Sequence, residues 1–198
     1  MAKLSVNLNK IALIRNTRAL GIPNILRAAS LAIDGGADGI TVHPRPDGRH
    51  VRGTDVTELA EMLKQTPSVE FNIEGNPFHN LLDFVRTVRP QQCTLVPDES
   101  GQFTSDHGWD MQKDANRLVP VVGELKALGV RVRLFMDRLP AAMESAKLVG
   151  SDRVELYTEP YAQACGTNRQ TAVLDEYGAE AQTARAVGLG GTAGQATD

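Results

Sequence analysis

The stretch Gly35-Gly36-Ala37-Asp38-Gly39-Ile40-Thr41-Val42-His43-Pro44-Arg45 reads as a helix stop, a buried strand, and then a histidine and an arginine where the strand ends. In α/β barrels the chemistry sits at the carboxyl ends of parallel strands, so polar groups there mark a site as well as a fold. His50 follows soon after. The next apolar run, Val69-Glu70-Phe71-Asn72-Ile73-Glu74, carries acids among its hydrophobics.

Outward from this point, short apolar runs alternate with longer segments of helical period, the mark of repeated βα units around a parallel sheet. The pattern predicts strands over 4–8, 39–43, 69–73, 93–96, 130–136 and 153–157, followed by helices over 24–34, 55–64, 77–88, 114–128, 140–149 and 169–187. Asn76-Pro77 sets a capping residue before a proline at a first helical position, and Gly35, Gly129 and Gly150 stand where helices stop. Pro120 lies within the fourth helical pattern, so that helix either kinks or begins there. The 97–110 connection is long for a βα loop, and such loops serve as lids or binding loops.

A closed barrel of eight βα units takes ~250 residues. The expected fold for these 198 residues is therefore α/β, a (β/α)8 TIM-barrel type with about six units present and the last two missing. Residues 1–187 form the incomplete barrel domain. The 188–198 segment, with one large apolar residue, reads as a flexible tail rather than a buried strand.

With 41% hydrophobic and 23% charged residues, the composition is that of an ordinary globular domain. A net charge of -3 without a long Lys/Arg run argues against sequence-independent nucleic-acid binding. Small anions remain suitable ligands, because a few local arginines suffice for them. No apolar run suggests a membrane span or a signal peptide, so a cytoplasmic protein is expected. Cys93 and Cys165 lie far apart in sequence with no second thiol near either, which argues against a zinc cluster or a disulfide framework.

Between the second strand and its helix, His43, Arg45, Arg49, His50 and Arg52 make a cationic loop suited to a phosphate or carboxylate. In the third strand Glu70 and Asn72 share one face, because successive side chains alternate. Burial would raise the Glu70 carboxyl toward the range where it relays protons. Glu155 repeats the pattern on the sixth strand. Asn7-Leu8-Asn9-Lys10 ends the first strand. Of the cations that follow, Arg15 reads as surface charge and Arg18 as the better phosphate candidate. His79 and His107 read as surface residues.

These residues, in this order, resemble the pyridoxine 5′-phosphate synthase (PdxJ-type) family of vitamin B6 biosynthesis. The resemblance runs through Val6-Asn7-Leu8-Asn9-Lys10-Ile11-Ala12, Arg15-Asn16-Thr17-Arg18, Ala37-Asp38-Gly39-Ile40-Thr41-Val42-His43, Arg49-His50, Leu95-Val96-Pro97 and Val154-Glu155-Leu156-Tyr157-Thr158. It implies condensation of 3-amino-2-oxopropyl phosphate with 1-deoxy-D-xylulose 5-phosphate to pyridoxine 5′-phosphate, inorganic phosphate and water, with no metal or organic cofactor. By position, His43 and Glu70 match the family's proton acceptors and Glu155 its transition-state-stabilising carboxylate. Asn7 and Arg18 match contacts to the aminoketone phosphate, and Arg45, His50 and Thr104 contacts to the pentulose phosphate. Homo-oligomers are implied too.

The chain departs from the family at two places. Asn9 and Lys10, still candidate substrate contacts, stand where well-known members carry Asp-His. Gly191-Thr192-Ala193-Gly194-Gln195 stands where the family has a strand ending in a proton-donating histidine. Two other classes fit the residues: a noncatalytic phosphate-binding or assembly subunit, and a barrel hydrolase holding a divalent metal with His43, His50, Glu70 and Glu155.

Overall fold

The computed structural model describes residues 2–99, 101–102 and 104–194. Their contacts divide the chain into two units, one made chiefly of residues 1–94 with 98–101, the other of 102–127 and 131–198 with 95–97.

The first unit runs β1(Ser5–Asn7), α1(Asn9–Asn16), α2(Ile25–Asp34), β2(Gly39–Val42), α3(Gly53–Leu63), β3(Glu70–Gly75), α4(Leu81–Val88) and β4(Gln92–Leu95). Its strands lie in the order β1-β2-β3-β4, and β1 with β2 and β2 with β3 are parallel. Period-two alternation gives each strand two characters. Ile40, Val42, Phe71 and Ile73 are buried as apolar core, together with Leu59, Leu63, Leu81 and Val85 of α3 and α4. The opposite faces carry Thr41, Asn72, Gln92 and Thr94, all buried.

A buried polar face must satisfy its own hydrogen bonds. Asn72 does this from the centre. Its Nδ2 donates to Thr41 Oγ1 at 3.2 Å and Glu74 Oε1 at 3.3 Å, and its Oδ1 accepts from Thr94 Oγ1 at 2.9 Å and Gln92 Nε2 at 3.3 Å.

The second unit runs α5(Met111–Ala127), β5(Arg131–Met136), α6(Pro140–Leu148), β6(Arg153–Tyr157), α7(Glu159–Ala164), α8(Gln170–Ala186) and β7(Gly190–Gly194). β5, β6 and β7 are parallel neighbours. Val132, Leu134, Met136, Val154 and Leu156 are buried as core, with Leu118, Leu125, Met143 and Ala184 from the helices. Arg133, Phe135 and Glu155 alternate with them and are buried as well. Arg133 forms an ion pair with Glu155.

The six predicted strands are present, and the structure corrects the count by adding β7, which pairs along its length with β6, from Arg153 opposite Gly190 to Tyr157 opposite Gly194. The expectation of a strandless tail rested on its lack of large apolar residues. Here small residues are required: a Cβ on Gly190 would come within 2.8 Å of Arg153 Cγ, and one on Gly194 would overlap the Glu155 carboxylate. Residues 195–198, including Gln195, lie outside the described residues.

Other boundaries move for local reasons. Asn76 closes a turn instead of capping a helix, its Oδ1 accepting from Phe78 N at 2.9 Å, and α4 starts at Leu81. α5 begins at Met111 and runs through Pro120. Gly129 and Gly150 stop helices with φ of +79° and +97°, the left-handed geometry that favours glycine. Cys93 is buried and Cys165 exposed, and both are free thiols. Among the described residues no helix is long and apolar enough to cross a membrane.

Glu180 of α8 is 3% exposed, and its Oε2 meets no hydrogen-bond donor among the described residues. Burial pushes its carboxyl up from 4.5 to about 7, with Arg138 opposing and Glu176 and Asp137 adding to the rise. A carboxyl raised on folding stabilises fully below its unfolded value, and that contribution is lost as pH rises through the folded value. Glu180→Gln should therefore stabilise by roughly 2–3 kcal/mol at pH 8 and by almost nothing at pH 4.5. Thermal unfolding of both proteins at the two pH values checks this; equal shifts at both would contradict it.

Candidate active site

The β2–β3 register settles which groups share a level. Gly39 lies opposite Glu70 and Val42 opposite Ile73, so His43, one residue on, is level with Glu74. A Cβ on Gly75 would lie 3.7 Å from His43 Nε2, placing the end of β3 directly beside the ring. Glu70 opens the strand, four residues earlier, about 13 Å back along it. Glu70 thus stands at the amino end of β3, and the acid at the His43 level is Glu74, 7% exposed. The sequence held this signal. Ending the strand at Gly75 rather than Ile73 leaves Glu74 as its last carboxylate.

His43 is buried, and its backbone N donates to Asn9 Oδ1 at 2.8 Å. Asn9 N in turn donates to Asn7 Oδ1 at 2.8 Å. The end of β1 and the start of α1 therefore hold the exit of β2. Burial, then the positive charge of Arg45, that of His50 once it protonates in acid, and that of Arg49 drive the His43 pKa well below 6.5. Its imidazole is neutral at physiological pH and free to accept a proton.

The loop after β2 is less cationic than its sequence. Arg49 pairs with Asp47 at 2.6 Å. Arg45, 6% exposed, reaches Asp98 Oδ2 at 2.5 Å, and the same oxygen lies 3.7 Å from His43 Nε2. Asp98 sits just beyond β4, and Asn76 Nδ2 donates to its backbone oxygen at 2.9 Å. Nothing in the sequence pattern of the 97–110 loop marks Asp98. The Asp98-Glu99 pair after Val96-Pro97 gives no periodic cue.

His50 is half-buried at the far end of the loop, its ring 6.0 Å from that of His43. Val51 N donates to its Nδ1 at 2.9 Å, so the neutral ring carries its proton on Nε2. Burial, with Arg45 and Arg49, lowers its pKa to about 4. His50 is therefore a neutral hydrogen-bond donor at pH 7.

Arg15 corrects a second expectation. It is buried, with Nη1 2.5 Å from Asp55 Oδ1 and Nη2 2.9 Å from Asp55 Oδ2. Its Nη2 also donates to the His50 carbonyl at 3.1 Å, as does Asn16 Nδ2 at 2.8 Å. Asp55 Oδ2 accepts from Arg52 N at 2.7 Å, closing the start of α3. Arg15 and Asn16 brace the loop that presents His50.

Of the other predicted residues, Asn7 is half-buried, Lys10 and Arg18 are exposed, and so are His79 and His107. Thr104, exposed, and Glu155, buried against Arg133, belong to the second unit. Among the described residues no group of three or more His, Cys, Asp or Glu side chains is arranged to hold a metal ion.

A search of solved structures finds the fold in a deoxyribose phosphate aldolase from Aeropyrum pernix, with a TM-score of 0.59 and 15% identity over 98% of this chain and 75% of that one. A probable mandelate racemase from Alicyclobacillus acidocaldarius gives 0.52 at 12% identity, covering 100% of this chain and 42% of the other. Both likenesses concern the fold alone. Sequence relatives are much nearer. The pyridoxine 5′-phosphate synthase of Albidiferax ferrireducens is 57% identical over 197 residues, 97% of this chain and 78% of the relative. That of Xylella fastidiosa is 49% identical over 199 residues, 97% of this chain and 76% of the relative. The family model described as pyridoxal phosphate biosynthesis protein PdxJ matches residues 4–198. With that span and that identity, the chain belongs to the PdxJ family.

Proposed function

We propose that this chain is a pyridoxine 5′-phosphate synthase, joining 3-amino-2-oxopropyl phosphate to 1-deoxy-D-xylulose 5-phosphate and releasing phosphate and water. The observation that carries the reading beyond family membership is a buried neutral His43 at the strand level of the Glu74 carboxylate, with the Arg45 guanidinium two residues on held by Asp98. Imine formation, enolisation and dehydration each move protons near neutral pH, and a neutral imidazole beside a carboxylate suits that work.

His43 is the proton acceptor, and Glu74 takes the partner role that the sequence had suggested for Glu70. Arg45 and the Nε2–H of His50 meet the phosphate of the pentulose. Anchoring distant from the reacting carbons orients them for ring closure. Asn7, Asn9, Lys10 and Arg18 serve the substrates from the β1 side. This reading takes the catalytic domain through β7, and carries with it a cytoplasmic homo-oligomer that needs no cofactor.

Steady-state product formation tests the reading. His43→Asn should lower kcat by ~10²–10⁴-fold, the range of a lost general base. A base must be unprotonated to act, and the His43 pKa lies well below 6.5. In the unaltered protein kcat/KM should therefore stay level from pH 8 down past 6.5 and fall only in more acid solution. An acid limb centred at 6.5, or a fully active His43→Asn, contradicts the assignment. Calorimetric binding of both phosphates with no product would make the chain a noncatalytic binding subunit instead.

A further inference from the structure

Asp98 has no part in the reading above, yet it sits where two of that reading's groups meet. It is 3% exposed, and so are few carboxylates that lack a task. One oxygen, Oδ2, lies 2.5 Å from Arg45 Nη2 and 3.7 Å from His43 Nε2. Its main chain is fixed independently, because Asn76 at the end of β3 donates to the Asp98 carbonyl at 2.9 Å. All four residues lie within one unit of the chain.

We propose that Asp98 is a positioning residue of the active site, a single buried carboxylate that holds the Arg45 guanidinium and the His43 imidazole in one fixed relation. The inference rests on the roles given to His43 and Arg45 under the proposed function.

A guanidinium cannot be buried cheaply without a counter-charge. Arg45 enters the interior because Asp98 meets it there, and the loop after β2 is drawn in with it. The same charge balance governs His43. Arg45 and Arg49, and in acid solution also His50, all from the β2–α3 connection, disfavour a proton on its ring. A proton acceptor must nevertheless become imidazolium for an instant, and the carboxylate facing Nε2 offsets the repulsion at that moment. Asp98 thus acts through two other residues: it places the cation that meets phosphate, and it makes the protonated form of the acceptor attainable.

The consequences for KM and kcat differ. Asp98→Asn leaves Arg45 its full charge and an amide oxygen that still accepts its N–H, so the cation keeps its place and affinity for an anion is not reduced, while His43 loses the opposite charge beside it. In the purified full chain, Asp98→Asn should lower kcat at least tenfold without raising KM for 1-deoxy-D-xylulose 5-phosphate. Asp98→Glu, which keeps the charge, should recover at least a third of kcat. An Asp98→Asn protein with unchanged kcat, or with a raised KM as its sole defect, overturns the inference.

Should Asp98→Asn fail to fold, the charge-neutral double variant Arg45→Gln/Asp98→Asn supplies the answer. A kcat at least fivefold below that of Arg45→Gln alone supports positioning of His43; an equal kcat overturns it. His43→Asn run in parallel separates the two levels of the account. If it is inactive while Asp98→Asn is fully active, only this inference fails. If it is fully active, the acceptor role fails and the inference goes with it.

Discussion

The register between β2 and β3 is the constraint on which the site depends. Parallel strands hydrogen-bonded with Gly39 opposite Glu70 and Val42 opposite Ile73 leave no choice about what lies beyond them. A one-residue slip would turn every side chain of β3 to the other face. It would bury Phe71 and Ile73 among the polar groups and move Asn72 away from Thr41, Gln92 and Thr94. Asn72 satisfies donors and acceptors on both neighbouring strands, so it fixes the register from inside. The level shared by His43 and Glu74 is a consequence of that lock.

Charge is the second theme. Arg15 with Asp55, Arg45 with Asp98, and Arg133 with Glu155 are all buried arginine–carboxylate pairs. Such pairs add little net stability over apolar substitutes, but removing one partner typically costs about 3–5 kcal/mol because the other is left alone. Their value here is placement. Arg15 and Asp55 set the loop that carries His50, Arg45 and Asp98 bring charge to the exit of β2, and Arg133 meets the carboxylate of β6. The apolar faces of the strands hold the fold together, and the charged faces decide what it can bind.

Much of this was legible in the sequence. The alternation of short apolar runs and helical segments gave the α/β class with parallel strands, and His43 after Ile40-Thr41-Val42 marked a strand exit without ambiguity. What escaped did so for identifiable reasons. α1 buries Asn9, Ala12 and Arg15 while leaving Ile14 exposed, the reverse of an amphipathic pattern, and so it gave no helical signal. β7 has almost no side chains, because neighbours on β6 occupy their space. Glu74 was hidden by a strand end placed two residues short, and Asp98 by lying in a loop whose spacing carries no period. Buried arginines look like surface arginines until their acids are found, and Asp55 and Asp98 lie 40 and 53 positions from their partners.

The central question for the site is which carboxylate of β3 works with His43. Turnover of Glu74→Gln and Glu70→Gln, measured side by side with folding verified for both, decides it. The register predicts that Glu74→Gln loses at least ~10²-fold in kcat, as expected for a lost acid–base group, while Glu70→Gln keeps it within a few-fold. A crippled Glu70→Gln beside an active Glu74→Gln would contradict the geometry derived for the site.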